Sequence, residues 1–491
     1  MPSGKGEEVT LEMWFTQRPN QRRRVGSRRR AWQVLEAPTG EQPTQGTEGM
    51  YGPALPEEST VHFVLNLALR IGEIQMASGA GASDVTATML AVTASYGLPH
   101  CEADVVFTSI TIACHRGTDL APVTSVRVVR TRGVDYSRLT STEALVRKIT
   151  RGKISSEDAY AELRRIEQAP HPYPRWVSTA AWGGMAASIA VLIGANGYIA
   201  MLAFVVAALI DRIGRLLNRR ALPFFFQQTI GGTLATGIAL AIMATDWLGQ
   251  NQPSLVIGAT ITVLLSGLSV VGTVQDAISG YNVTAAGRSL EVALMTIGLV
   301  TGVLLALKIG NWLGSSYIAA ADAPSATVLG VPLKVVAGAS AAACFALASY
   351  SRLRGMLVSA AAGAVGAAAY STLALTEVGQ IAASAIAATL VGFCGGLMAR
   401  RLGVTPLVVA VSGMVPLLPG LLTYRALYQI VQSGELATLA EAISVGLALG
   451  AGVVLGEYLA QPVRTGLGRL ERRMAGPRMA GPLRPARRRL E

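Results

Sequence analysis

The chain has 491 residues, of which 51% are hydrophobic and only 15% are charged, and its formal net charge is +12. Arginine collects in the termini and between apolar stretches, where anionic lipid and the orientation of membrane helices account for it; no nucleic-acid-binding motif accompanies it, so we expect no nucleic-acid partner. Four scattered cysteines argue against a disulfide framework.

The chain begins with a polar region. Residues 1–58 are rich in Pro, Gly, Gln and Glu and are predicted to form a disordered basic extension. Its arginine runs at 22–24 and 28–30 are not followed by an apolar segment, so neither a cleavable signal peptide nor a twin-arginine export signal is indicated. Residues 59–175 are predicted to form a small soluble α+β domain.

The spacing of apolar residues and the residues that begin or end each segment predict the helices and strands of this domain. Helical spacing of apolar residues indicates four helices, and two stretches rich in Val, Ile and Thr indicate strands. A capping box of Ser155 and Asp158 opens the last helix. The predicted elements are helices over Val61–Met76, Ser83–Tyr96, Ser141–Arg151 and Ser155–Gln168, and strands over Asp104–Cys114 and Val123–Arg130.

From Trp176 to Ala460 the chain is an almost unbroken series of apolar stretches. About 20 apolar residues, rising about 1.5 Å each, cross a hydrocarbon core of about 30 Å. The chain is therefore predicted to be a polytopic α-helical membrane protein with ten transmembrane helices. The predicted spans are 176–194, 197–210, 222–244, 253–274, 289–309, 328–349, 355–375, 379–398, 404–424 and 437–460.

Arginines between the spans predict the orientation. They collect in alternate joints, from Arg212 to Arg220, at Arg288, at Arg352 and Arg354, and at Arg400 and Arg401. Since Lys and Arg in short loops face the cytoplasm, we expect both termini there, including a basic disordered tail over residues 461–491. The second span is short, and its loss would invert the orientation of everything after it.

The two halves of the apolar region resemble each other. Leu264–Leu268 and Leu417–Leu421 lie at equal offsets from Pro253 and Pro406. With a three-residue shift, Glu291 matches Glu441 and Gly302-Val303 matches Gly452-Val453. Five spans per half would make residues 176–310 and 311–460 inverted repeats, as in many secondary transporters. Chance similarity among Leu, Gly and Ala is the alternative.

Small residues and prolines interrupt two spans at matching positions. Ser266-Gly267 lies in the fourth span, and Pro416, Pro419 and Gly420 lie in the ninth. Pro removes a backbone donor and Gly weakens a helix, so freed backbone groups lining a cavity can bind the charged ends of an amino acid. Simple kinks are the alternative.

Few ionisable residues lie in or beside the spans. Asp276, Glu291 and Glu441 are the candidates for proton coupling, the two glutamates chiefly because the repeat pairs them. Charges that mark the ends of helices are the alternative interpretation for all three.

The polar domain carries no recognisable enzymatic or metal motif. His100-Cys101 and Cys114-His115 invite a metal-site hypothesis, but adjacent strand residues point to opposite faces and the spacing matches no usual zinc pattern. No G-x-S-x-G, H-E-x-x-H or phosphate-binding loop is present. We therefore expect no enzyme activity, no metal and no cofactor.

Several short motifs recur in one order along the chain and resemble one family. They are Gly72-Glu73-Ile74, Ser78-Gly79-Ala80, Val134–Leu139, Gly152–Ser155, Tyr173–Trp176, Leu265–Gly267, Gln275-Asp276, Glu291 and Gly302-Val303. From Leu67 to Leu307 the chain thus resembles the threonine/serine exporters, bacterial inner-membrane carriers, and its second half is similar to their five-span C-terminal unit. Ser266 and Gln275 stand where the family often has Pro and Arg.

The resemblance implies a cytoplasmic N-terminal domain, ten spans, and export of L-threonine and L-serine driven by the proton gradient, with other small amino acids as further candidates. We expect substrate to lie between the two interruptions, with Thr262, Ser266 and Tyr424 contacting its hydroxyl. The expected partners are these amino acids, protons and membrane lipids, and a homo-oligomer is a further candidate. The alternative is a membrane-anchored binding or regulatory protein that acts through its cytoplasmic domain.

Overall fold

The computed structural model describes residues 57–115, 120–130, 133–243, 254–265, 267–313, 330–376 and 378–474. Almost all of the predicted extension, and the tail beyond residue 474, lie outside the described residues. We call residues 57–174 the N-terminal region. Its elements are α1 Glu58–Ala77, α2 Ala82–Ser95, β1 Cys101–Val106, β2 Ser109–Cys114, β3 Val123–Val128, α3 Tyr136–Ile149 and α4 Ser156–Gln168.

The strands form an antiparallel sheet in the order β1-β2-β3. The single strand predicted over Asp104–Cys114 is wrong, because the chain reverses at Phe107 and Thr108 and pairs Val106 with Ser109. Phe107 has a positive φ of 53°. No Gly or Asn marks this turn in the sequence, and its tip is held by contacts with a distant helix, described below. The predicted helices of this region are present, and Ser155 caps α4 as predicted.

The rest of the described chain is helical. The helices are α5 Arg175–Leu192, α6 Gly197–Arg219, α7 Phe224–Met243, α8 Ser254–Leu264, α9 Gly267–Ile278, α10 Asn282–Trp312, α11 Val331–Ala348, α12 Leu353–Leu373, α13 Gln380–Leu402, α14 Pro406–Met414, α15 Gly420–Ser433 and α16 Ala437–Met474. A 3₁₀ turn over Val415–Leu417 lies between α14 and α15. Helix α16 continues to Met474, past the predicted end of the last span.

Within the described residues, six helices are long and apolar enough to cross a membrane: α7, α10, α11, α12, α13 and α16. The bent pairs α8–α9 and α14–α15 raise that number to eight. This establishes a polytopic helical protein, while the count of ten stays a prediction. Helices α5 and α6 are not among these candidates, and the second half of α6 carries Asp211, Arg212 and Arg215.

Corresponding helices of the two halves have corresponding partners. Helix α5 packs against α6, α6 against α8, and α7 against α10; in the same way α11 packs against α12, α12 against α14, and α13 against α16. Helix backbones approach closely at glycines. A Cβ at Gly302 would lie 2.0 Å from the Thr229 carbonyl oxygen, and a Cβ at Gly456 would lie 2.1 Å from that of Thr389. Small residues let helix backbones come this close.

The glycine contacts define a register between α10 and α16. Gly298 approaches the Phe225 carbonyl as Gly452 approaches that of Ala385, at 2.5 and 2.6 Å from an added Cβ. Packing therefore matches Gly298 with Gly452, one helical turn from the sequence match of Gly302 with Gly452. The predicted pairing of Glu291 with Glu441 does not follow from this register.

A buried ion pair attaches the N-terminal region to the helices. Arg288 Nη1 lies 2.7 Å from Asp276 Oδ2, with side-chain exposures of 7% and 0%. Arg288 Nη2 donates to the Ala80 carbonyl at 3.1 Å, and the Ala82 amide, in the first turn of α2, donates to Asp276 Oδ1 at 2.7 Å. Two membrane-region charges thus hold the turn between α1 and α2. We call this arrangement the latch.

Two further contacts fix the N-terminal region. The Thr284 hydroxyl donates to the Val105 carbonyl at 2.8 Å and accepts from the Phe107 amide at 3.0 Å, which places the β1–β2 turn on α10. At the other side, the Tyr136 amide donates to the Ser349 carbonyl at 3.0 Å, next to the end of α11. The N-terminal region therefore packs on joints that belong to both halves of the bundle.

The latch predicts a non-additive effect on stability. Either Asp276→Asn or Arg288→Gln leaves one buried charge without its partner, a loss of about 3–5 kcal/mol, whereas the double variant leaves none. In thermal unfolding of the detergent-solubilised protein, we expect both single variants to melt well below the wild type and the double variant to recover part of the loss. The exposed Arg354→Gln is the control. Additive losses would contradict a buried ion pair.

Glu143 predicts a pH dependence of stability. Burial raises the pKa of this carboxyl above its ordinary 4.5, against the opposing effects of the Thr405 hydroxyl and Arg147. The folded state then binds a proton more tightly than the unfolded state, so this group reduces stability as pH rises above 4.5. Glu143→Gln should raise the melting temperature at pH 7 and have little effect at pH 4. The exposed Glu157→Gln is the control.

Candidate functional site

The helical interruptions predicted in two spans are present, and they share one local geometry. Helices α8 and α9 meet at 48°, and so do the segments Pro406–Leu417 and Gly420–Ser433. The Gly267 amide donates to the Leu265 carbonyl at 3.0 Å, and the Gly420 amide donates to the Leu418 carbonyl at 2.9 Å. A bond from residue i to residue i−2 replaces the helical i−4 bond in both places, so each break leaves helical backbone groups free.

A cavity of about 300 Å³ lies beside the first break, and we call it cavity A. Its size falls at the lower end of small-molecule sites. Met76, Ala77 and Gly79 of the N-terminal region line one side, and Leu265 and Gly267 of the break line another. The turn that the latch holds is therefore part of the cavity wall.

Polar side chains that line cavity A include Gln228, Ser269, Arg288 and Glu291. Gln228 Nε2 donates to the Leu264 carbonyl, the last residue of α8, at 3.2 Å. Its Oε1 is buried and makes no hydrogen bond within the described part of the chain. A buried acceptor without a donor costs free energy unless a ligand supplies one, and here it lies at the wall of a cavity.

A second cavity, cavity B, is bordered by both breaks but is almost entirely apolar. Its volume is about 200 Å³, and Gly267, Met414, Leu418 and Pro419 line it. The Thr423 hydroxyl at its wall already donates to the Pro419 carbonyl at 2.7 Å. Without charged groups, this cavity does not offer partners for both ends of a free amino acid.

Cavity C, of about 190 Å³, lies beside the second break. Lys334, Tyr370 and Arg425 line it together with Pro416–Leu422. Helix α11 ends at Ala348 next to the N-terminal region, so Lys334 near its start lies at the opposite end of the bundle. Cavities A and C therefore occupy opposite ends, each at one broken helix.

The predicted substrate residues are not brought together in one cavity. Gly267 lines cavities A and B, Pro419 lines cavities B and C, and Pro416 and Gly420 line cavity C. Thr262 lines none of these cavities: its hydroxyl donates to the Gly258 carbonyl at 2.8 Å. A Cβ at Gly420 would lie 1.8 Å from that hydroxyl, so Thr262 and Gly420 form a contact between α8 and α15.

Tyr424 also lines none of the three cavities. Its side chain is fully buried and packs in an apolar cluster that includes Ile257, Ile261 and Leu427. Ser266 lies outside the described residues. The substrate roles predicted for Thr262, Ser266 and Tyr424 stay predictions.

The three predicted proton-coupling residues occupy different surroundings. Glu291 lines cavity A. Asp276 belongs to the latch and is paired with Arg288. Glu441 lies near enough to the Tyr370 hydroxyl of cavity C to interact with it electrostatically. Of the three, Glu291 is the carboxylate in direct contact with a polar cavity.

Two residues of cavity A were not singled out for the site from the sequence. Arg288 was interpreted as an orientation charge, because a lone Arg between two spans is typical of a cytoplasmic joint. Gln228 stands near the start of α7 in a run of bulky residues, Phe224–Gln228, and only the fold brings it to the end of α8. The one available signal was an uncharged polar side chain inside a predicted span. Among the described residues, no group of three or more His, Cys, Asp or Glu could hold a metal ion.

Comparisons with known proteins agree along most of the chain. The family model described as "Putative threonine/serine exporter" matches residues 66–310, and the one described as "Threonine/Serine exporter, ThrE" matches residues 334–459. No solved structure matches the chain.

Curated relatives extend over both halves. A probable threonine/serine exporter of Mycobacterium tuberculosis is 38% identical over 83% of this chain and 78% of its own length. A threonine/serine exporter of Corynebacterium glutamicum is 36% identical, over 84% and 85%. A probable succinate transporter subunit, YjjP, of Escherichia coli is 22% identical over 50% of this chain and 94% of its own length. With two relatives this similar over most of both chains, the protein belongs to the threonine/serine exporter family.

Proposed function

We propose that this protein exports L-threonine and L-serine across the cytoplasmic membrane, with the proton motive force as the energy source, and that cavity A is its substrate site. The observation that carries the proposal is a 300 Å³ cavity beside a broken helix, walled by Gln228, Arg288 and Glu291. Two relatives named for threonine/serine export support the substrate class. Both termini would then lie in the cytoplasm, as the arginine distribution predicts.

The polar groups of cavity A suit a free amino acid. A substrate ammonium group would donate to Gln228 Oε1, which is buried and lacks a donor among the described residues. Arg288 would attract the substrate carboxylate electrostatically while it stays paired with Asp276. Backbone groups beside the first break would accept a hydrogen bond from the side-chain hydroxyl or donate one to it. The apolar walls then favour small side chains over long ones.

The two halves act in this proposal as inverted repeats. The matching helix partners, the matching glycine contacts and the matching breaks at Gly267 and Gly420 support this relation. Cavities A and C would be the two ends of one pathway, which open in turn as one half rocks against the other. Leu418 lines both cavities and would separate them in this state.

Proton coupling would centre on Glu291, because it lines the cavity that holds the substrate. A carboxylate there can release its proton on one side of the membrane and take one up on the other as the cavity changes access. Glu441, near Tyr370, would exchange protons on the side of the membrane away from the N-terminal region. Asp276 would take part only when its ion pair with Arg288 opens.

The proposal is tested in proteoliposomes with the full-length protein, radiolabelled threonine and an imposed pH gradient. We expect threonine flux that rises with the gradient and collapses on addition of a protonophore, while labelled succinate is not transported. Flux no greater than in protein-free vesicles would contradict a carrier. If threonine still bound under those conditions, the membrane-anchored binding protein would be the better description.

Gln228→Leu should reduce threonine transport by about 10-fold to 100-fold. The variant removes one hydrogen-bond acceptor for a charged group, an interaction of about 1.5–3 kcal/mol. The matched control is Gln227→Leu, on the same helix, since the Gln227 amide donates to the Leu222 carbonyl at 2.7 Å and lies outside cavity A. Equal transport activity of the two variants would show that Gln228 does not bind the substrate.

Glu291→Gln should separate transport from the proton gradient. The amide cannot carry a proton, so we expect flux driven by the pH gradient to fall to its gradient-independent level. Exchange of labelled for unlabelled threonine should continue. Glu435→Gln, an exposed glutamate before α16, should leave both activities unchanged. Retention of full coupling in Glu291→Gln would eliminate this role.

A further inference from the structure

Two thiols face each other across β1 and β2. Cys101, the first residue of β1, is the register partner of Cys114, the last residue of β2. The neighbouring His115 amide donates to the His100 carbonyl at 2.9 Å, which makes the histidines a hydrogen-bonded pair. The cysteines therefore occupy the adjacent non-hydrogen-bonded position, where opposed side chains lie closest in an antiparallel sheet.

The pair has the geometry that a disulfide requires. Opposed residues at such a position have Cα atoms about 4.5 Å apart, within the range of about 4.4–6.8 Å found for disulfides. Both thiols are free in this structure, and the Cys114 side chain is near enough to Cys101 to interact with it electrostatically. Cys114 is 2% exposed, whereas Cys101 is partly exposed and so can be reached by a small reagent.

We propose that Cys101 and Cys114 form a redox-active dithiol that a peroxide converts into a cross-strand disulfide. The Cys101 thiolate attacks one peroxide oxygen and becomes a sulfenic acid, and the other oxygen leaves as water after protonation. The Cys114 sulfur then loses its proton and attacks the Cys101 sulfur, which releases the second water. One peroxide and two thiols thus give one disulfide and two waters.

Metal binding by the same residues is a poorer interpretation. Adjacent residues of a strand point to opposite faces, so His100 and His115 lie on the face away from the two thiols. Two thiolates alone fall short of the four ligands that a structural zinc site uses. The register therefore favours sulfur chemistry between the two cysteines.

The position of the pair gives the disulfide a structural consequence. It lies at the base of the β1–β2 hairpin, whose tip contacts α10: Thr284 is hydrogen-bonded to Phe107 and Val105, and Gly287 packs on the Phe107 ring. Arg288 and Glu291 of cavity A follow on the same helix. Closing the base would hold the two strands together and strengthen the support that the hairpin gives to this end of α10.

The rate of disulfide formation should depend on pH. Burial and the contact with Cys114 raise the pKa of the Cys101 thiol to about 12. The reactive thiolate is then scarce near neutral pH, so the dithiol persists in mild conditions and closes slowly. Between pH 7 and pH 9 the rate should rise by about tenfold for each pH unit.

The test uses the reduced full-length protein, hydrogen peroxide, and an alkylating reagent added under denaturing conditions. Both cysteines fall in one tryptic peptide, Ile71–Arg116, because no Lys or Arg lies between these points. We expect this peptide to appear two hydrogen atoms lighter and without alkyl groups, and to return to its alkylated form after reduction. Amide exchange in Val105–Ser109 should slow on oxidation.

The matched control is the variant Cys344→Ser/Cys394→Ser, which should close the disulfide as the wild type does. Cys101→Ser/Cys114→Ser should show no change in amide exchange with peroxide. The proposal fails if the wild-type peptide keeps both thiols alkylatable after peroxide treatment of the folded protein at pH 9. It also fails if oxidation gives only higher oxides of Cys101 without the bond to Cys114.

Discussion

The buried ion pair of Asp276 and Arg288 is the constraint on which the arrangement of the site depends. Two charges removed from water are costly, and here the cost is offset by their contact and by backbone bonds to Ala82 and Ala80. The Ala82 amide lies at the positive N-terminal end of α2, which favours the carboxylate. Breaking any one of these contacts leaves a buried charged group with one partner fewer, so α9, α10 and the α1–α2 turn are expected to move as one body. The wall of cavity A is part of that body.

This coupling explains why the turn contains Gly79. Its φ is +94°, a backbone conformation that favours glycine, and a Cβ there would lie 2.7 Å from the Leu268 side chain, which would have to shift. Leu268 follows directly after the first break. The N-terminal region thus touches the broken helix twice, through glycine packing and through the latch, and any opening of cavity A on this side has to shift both contacts. Under the proposed function, opening cavity A on this side would require the N-terminal region to move.

The sequence predicted those features that depend on local pattern. Apolar length identified the six long apolar helices and the two bent pairs. Gly and Pro located the two breaks, because both signals act within a few residues. The sequence did not predict features that depend on contacts between residues far apart in the chain. The β1–β2 turn at Phe107 carries no turn signal and depends on Thr284, 177 residues away. The position of Gln228 at the end of α8 depends on the fold and cannot be read from the sequence around it. The glycine contacts match the helices of the two halves in a register that differs by one helical turn from the match between the sequences. Arg288 was interpreted as a charge that orients the membrane helices, because its pairing with Asp276 is not evident from the sequence.

The two breaks share backbone geometry but differ in their surroundings, and that difference bears on the direction of transport. Gly420 is pressed against Thr262 and the Gly258 carbonyl, backbone and a short side chain that cannot yield. Gly267 faces the flexible ends of Met414 and Leu418 instead. If the halves are inverted repeats, the two breaks exchange these surroundings between the two access states. The contacts at the second break would then loosen as those at the first break tighten. Under the proposed function, the rigid contact at Gly420 would close the path from cavity A toward the far side, while the deformable contact at Gly267 would leave room for substrate. The state seen here would then be the one that receives substrate from the side of the N-terminal region.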